Sequence, residues 1–183
     1  KITEVMDDIT IGQYYKGENL AALAKLEKVG SISMRNNSSL TEFALPNLLS
    51  IRGELFIANP AENNITSIKC PQLTTILKQC YIQAPNLKSL NLNSLESIPG
   101  KGDNSDGDGT FSLYGSQLVS LDLPVLKQVG KKFTLSLGTK HPELTQINLP
   151  ELISCKEVSI GYADKLETIS LPKLSTLSSF SIT

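Results

Sequence analysis

Apolar residues in this chain recur at steps of three, two, three and three, first as Leu40, Phe43, Leu45, Leu48 and Ile51. The same steps return as Ile65, Ile68, Cys70, Leu73 and Ile76, and again from Leu87, Leu118, Leu144 and Leu166. All five columns stay apolar in all six copies, through Leu90, Leu121, Ile147 and Ile169 in the second and Cys155 and Leu177 in the fifth. A few residues further on comes a second apolar pair with one residue between: Ile32/Met34, Leu55/Ile57, Cys80/Ile82, Phe111/Leu113, Phe133/Leu135, Val158/Ile160 and Phe180/Ile182. Two inward side chains flanking one outward one describe a short strand, and the LxL segment is a second, so each copy predicts a coil with two short strands.

Proline follows the LxL segment at positions 46, 71, 124, 150 and 172. It has no N–H to give to a ladder and is best accommodated at a corner. Asn93 stands there in the third copy and supports a turn through its side chain instead. Copies start 25, 22, 31, 26 and 22 residues apart, and the length variation falls between the apolar columns. These are solenoid periods with insertions bulging from a regular rod. At about 4.8 Å per coil the rod is roughly 30 Å long.

Residues 1–30 read as an N-terminal cap and 31–183 as the repeats of a single domain. Asn19 can N-cap LAALAKLEKV, with Gly30 ending the run, which predicts a short helix in the cap. Asp7, Asp8, Lys16, Glu18, Lys25, Glu27 and Lys28 supply the polar outer face that a terminal unit needs. At the other end, the strand around Phe180 and Ile182 has no such cap. The expectation there is an edge covered by self-association or by further sequence.

Composition narrows the function more by exclusion than by indication. Hydrophobic residues make up 40% of 183, enough for one core. Seventeen basic and 18 acidic residues leave a net charge of −1, so nothing draws the chain to nucleic acid. No apolar run is long enough for a transmembrane helix. Cys70, Cys80 and Cys155 stand in core columns where other copies have aliphatic or aromatic residues and are expected to be buried thiols, a Cys70–Cys80 disulfide or a reactive thiol being the other readings.

The units LTEFALPNLLSI, ITSIKCPQLTTI and LETISLPKLSTL resemble the leucine-rich repeat of BspA-like bacterial cell-surface proteins, LTSIxIPxxVTSI. The arm SIRGELFIANP is similar to that of receptor L domains and of fungal cell-wall proteins with related repeats. The resemblance runs from Leu26 to the C-terminus and lacks the AFxxC segment after the corner, so short strands are expected there instead of convex helices. It implies a β-rich solenoid, a right-handed leucine-rich-repeat coil of about six to seven short parallel-strand turns. It also implies an extracellular or cell-surface adhesion module that binds a protein or glycan, with no catalytic residue to carry over. A structural spacer of a larger surface protein, or a β-helix enzyme acting on polysaccharide, are the alternatives.

Candidate binding residues follow from the outward positions. Phe56 and Tyr81 occupy one outward column on neighbouring coils, with Ser33, Ser112, Thr134, Ser159 and Ser181 completing it. A polar ladder of Ala44, Lys69, Asn91, Asp122, Asn148 and Ser170 occupies the other strand, with Lys69 and Asn91 as its candidate ligand contacts. Within the insertion GKGDNSDGDG, Asn104, Asp106 and Asp108 alternate as oxygen ligands for Ca²⁺ do, although Gly115 stands where a bidentate Glu would complete the loop. A general base needs a partner nucleophile or carboxylate held by the same rigid element; none can be named for His141, the single histidine, which reads as a surface loop residue.

Overall fold

The computed structural model describes residues 2–58, 64–102, 107–138 and 143–183. His141 and two of the proposed calcium ligands, Asn104 and Asp106, lie outside them. The chain winds into a β-solenoid of about seven turns, and every paired strand is parallel to its neighbours.

Three faces enclose the core, where two strands per coil were expected. The longest face is an eight-stranded sheet built from Ile9–Ile11, Ile32–Arg35, Glu54–Ala58, Gln79–Gln83, Thr110–Tyr114, Lys132–Ser136, Glu157–Gly161 and Ser179–Ile182. Its five-residue strands alternate between half-exposed and buried, as in Glu54–Ala58, where Leu55 and Ile57 point inward, except Thr110–Tyr114, where Ser112 is buried as well. The LxL segments form the second face: Glu42–Ala44, Ser67–Lys69 and Ser89–Asn91 in one sheet, Ser120–Asp122, Gln146–Asn148 and Thr168–Ser170 in another. The unforeseen third face is a six-stranded sheet of two-residue strands, Ser50–Ile51 and Thr75–Ile76 among them. Its inward residues are the fifth apolar column.

Prolines make the corners. In each copy the N–H of the fourth column residue donates to the C=O of the third, as Leu48 does to Leu45 at 3.2 Å and Leu73 to Cys70 at 3.1 Å. That is a β-turn with proline at its second position, where a fixed φ suits it and the missing N–H costs nothing. Asn93 occupies the same turn between Leu92 and Leu95, which closes at 2.9 Å, and the Asn91 side chain accepts from the Asn93 N–H at 3.3 Å.

The predicted cap helix is not formed. Asn19 Oδ1 does accept from the Ala21 N–H at 3.0 Å, but the turn it starts is a single 3-10 turn, Ala21–Leu23. Leu26 and Val29 are instead drawn into the core, and Lys28–Val29 pairs as a strand with Glu4–Val5 and Ser50–Ile51. Sheet pairing outweighs the helical spacing of a ten-residue segment, which is too short to be stable alone. The acidic and basic side chains assigned to the cap's outer face are all exposed.

Burial follows the columns. In the first five copies every column residue is buried except Leu90; in the last, Leu166, Ile169, Leu171 and Leu174 are half-buried and Phe180 and Ile182 exposed. Phe111 and Phe133 stack inside the coil, 4.9 Å between centroids and 8° between planes. All three cysteines are free and buried. Burial pushes the Cys70 thiol up to about 12, the Leu45 backbone opposing it slightly, and raises Cys80 and Cys155 as well. Exposed ion pairs link neighbouring coils, among them Lys127–Glu96 and Lys173–Glu151, each contributing about 0–1 kcal/mol.

Candidate functional site: an aromatic row on the long sheet

The eight-stranded sheet places Tyr81 directly beside Phe56. Their rings stack at 4.7 Å with 9° between planes. This centroid separation equals the spacing of adjacent strands, so the rings stand on edge and face each other along the rod. Two further residues extend the row. Arg35 lays its guanidinium 4.0 Å from the Phe56 centroid, and Tyr114 meets Tyr81 at 5.2 Å with a 33° tilt.

The apolar pairs outline strands of three residues, which leaves Arg35 and Tyr114 outside the outward column. At five residues the strands have a further outward position, held by Ala58, Gln83, Tyr114 and Ser136 in successive strands. Tyr114 reaches Tyr81 by leaning across the smaller Ser112, which pairs with Tyr81 and is thereby buried. Extending the outward alternation by one step past Leu113 would have found it.

Electrostatically the row is a neutral ridge ending in one cation. Burial raises the Tyr81 phenol above its ordinary value, Tyr114 adds to this and Arg35 opposes it, so the phenol is protonated at neutral pH. Tyr81 Oη lies 3.5 Å from Gln83 Oε1. Since the ring faces inside the row are occupied by neighbours, what meets solvent is ring edges, hydroxyls and the far side of Tyr114. Beside Tyr114 lies a recess of about 260 Å³ whose lining includes Gln83, Pro85, Ser136 and Gly138.

Lys69 and Asn91 are neighbours on a different face from Phe56 and Tyr81, both as expected. Both have structural employment: Lys69 pairs with Glu42 on the preceding coil, and Asn91 shapes the Asn93 corner. The polar ladder also divides in two, since Asn91 and Asp122 belong to separate sheets.

Asp108, the one described member of the calcium set, turns its carboxylate back into its own loop. Oδ1 accepts from the Lys101 N–H at 2.6 Å and Oδ2 from the Gly102 N–H at 2.8 Å. Hydrogen bonds from backbone N–H to a carboxylate are worth about 1.5–3 kcal/mol. Asp108→Ala is therefore expected to destabilise the fold by about 1–3 kcal/mol in urea denaturation, with or without calcium. Among the described residues no three His, Cys, Asp or Glu side chains gather to hold a metal, and no helix is long and apolar enough to cross a membrane.

Compared with models of known families, with curated proteins and with solved structures, the chain matches none.

Proposed function

We propose that this protein is a non-enzymatic recognition module of a secreted or cell-surface protein, with leucine-rich-repeat-like organisation, that engages a protein or glycan through the outer face of its long sheet. One observation carries the reading: the Arg35, Phe56, Tyr81 and Tyr114 row, gathered from four successive coils onto an otherwise Ser- and Thr-rich surface. Clustered aromatic and arginine side chains are the groups that dominate binding energy at protein surfaces. The remaining outward positions of this sheet are mostly Ser, Thr and Gln, with Lys132–Glu157 as a cross-coil charge pair, which argues against a polysaccharide-acting enzyme. Such an enzyme needs acids and bases converging on one point.

The ring-to-ring packing also favours a second reading, a spacer in which the row only staples neighbouring coils together. The triple variant Phe56→Ala, Tyr81→Ala, Tyr114→Ala separates the two. On arrays of glycans and extracellular-matrix proteins, loss of roughly thirtyfold in affinity is expected for a recognition surface, corresponding to about 2 kcal/mol. Ligand binding that survives the triple change, or an array on which the unmodified protein binds nothing, would leave the spacer reading standing.

A further inference from the structure

The face made by the LxL strands is interrupted. Ser89–Asn91 ends one three-stranded sheet and Ser120–Asp122 begins the next. Yet the two strands belong to successive coils that stay hydrogen-bonded on both other faces, Ser97 against Gln128 and Thr110 against Lys132. The coils are still joined at the start of these strands, where the Gln117 N–H donates to the Leu87 C=O at 2.8 Å, and they part beyond it. Elsewhere the residue after the strand closes the ladder, as the Cys70 N–H does to the Asn91 C=O at 2.9 Å and the Leu123 N–H to the Asn148 C=O at 3.1 Å. The Leu92 N–H makes no such bond.

Backbone alternation identifies the groups left over. Ser89 and Asn91 direct theirs at the preceding coil: the Ser89 N–H donates to the Thr66 C=O at 3.1 Å. Leu90 must then present its N–H and C=O to the opening. On the opposite wall, Val119 and Leu123 bond to the following coil, Val119 accepting from the Thr145 N–H at 2.9 Å, which turns Ser120 and Asp122 toward the opening. Between the walls lies a cavity of about 310 Å³ lined by Lys88, Leu90, Asn93, Val119, Ser120 and Asp122. Leu90 is half-exposed through it, the single core-column residue of the first five copies that is not buried.

We infer that this opening is a docking site for an extended peptide segment of a partner protein, which enters as an added strand between the two half-sheets. Both walls offer donors and acceptors alternating at strand spacing, the pattern that another peptide backbone satisfies residue by residue. The lining carries one cation, Lys88, and one anion, Asp122, whose carboxylate already accepts from the Ser120 hydroxyl at 2.8 Å, so the site has no net charge and fits an uncharged segment. An apolar side chain of the segment covers Leu90 and polar ones face solvent, in keeping with strand alternation. The volume is at the lower edge of the roughly 300–1,000 Å³ of ligand sites, which limits the insert to one short strand. The site is on a different face from the Arg35 to Tyr114 row and does not depend on its role.

The probe is the acetylated, amidated peptide Thr-Val-Thr-Val-Thr, titrated to millimolar concentration into ¹⁵N-labelled protein. Chemical-shift changes centred on residues 88–92 and 118–123 are expected, with slowed amide exchange at Leu90, Leu92, Ser120 and Asp122. The same peptide N-methylated at both valines should bind at least tenfold more weakly. Leu90→Arg, which fills the opening with a longer side chain, should abolish the shifts while leaving the circular dichroism spectrum intact; Phe56→Ala with Tyr81→Ala should leave them unchanged. No shift at these amides, equal binding of the N-methylated peptide, or equal shifts from a neutral oligosaccharide would each overturn the inference.

Discussion

Phe111→Ala lowers the free energy of unfolding by about 3–5 kcal/mol, the range for truncating a fully buried aromatic ring. Phe111 has no exposed surface, and its ring stacks on Phe133 of the next coil. Truncation therefore opens a void and also strips one face of Phe133, so two coils loosen together. In a solenoid each unit is held only by its neighbours, and a weakened interface in the middle of the array cannot be bypassed. Against a typical total stability of about 5–15 kcal/mol the loss is severe. Phe180→Ala is the matching control: the same side chain in the same column, but 46% exposed in the last coil. It should cost no more than about 1 kcal/mol. Urea denaturation followed by circular dichroism measures both, and equal losses would show that the coils do not differ in packing as described.

Alkaline pH should destabilise the fold through its buried thiols. In the unfolded chain the Cys70 thiol has a value of 9.0, and burial pushes it up to about 12 in the fold; Cys80 moves in the same direction, with Cys70 itself as the second cause. The folded state thus holds protons that the unfolded state releases. This contribution to stability is complete below pH 9 and is lost as the pH climbs toward the folded value. The slope is about 1.4 kcal/mol per pH unit for each thiol, so Cys70 alone accounts for a loss approaching about 4 kcal/mol near pH 12. Replacing both residues by valine removes the thiols but leaves every lysine, and the difference between the two stability curves should open from pH 9 upward. Parallel curves would mean that the thiols are not buried as protons-on groups. Below pH 9 the same burial keeps all three thiols silent toward a thiol reagent until denaturant is added.

The repeat was legible because its signal is carried by packing: a column position faces the core of every coil, so Leu40, Ile65, Leu87 and their equivalents repeat whatever happens in between. Burial of the cysteines was legible for the same reason, each standing where other copies have an aliphatic or aromatic side chain. The two-residue strands at Ser50–Ile51 and Thr75–Ile76 were not, since one inward residue flanked by polar ones gives no alternation to read. The cap helix was over-read: Leu20, Leu23 and Ala24 recur at helical spacing, but Val29 continues a sheet column, and the sheet wins. At the candidate site the pairing of Phe56 with Tyr81 followed directly from register. Arg35 and Tyr114 escaped because strand length depends on how far the neighbouring coil continues to pair. The break beside Leu90 left no mark in the columns at all, since Leu90 and Leu121 are as apolar there as anywhere else.

That break also sets how the rod carries load. Backbone hydrogen bonds in this fold run along the axis, so tension between the two ends falls on one inter-coil junction after another and does not shear many bonds at once. Among the described residues the inner junctions are joined on three sides, and at the one between Asn91 and Ser120 the third side keeps only the Gln117–Leu87 bond. That seam is held by the fewest backbone bonds among the inner junctions, so a load on the rod meets less resistance there than at its neighbours.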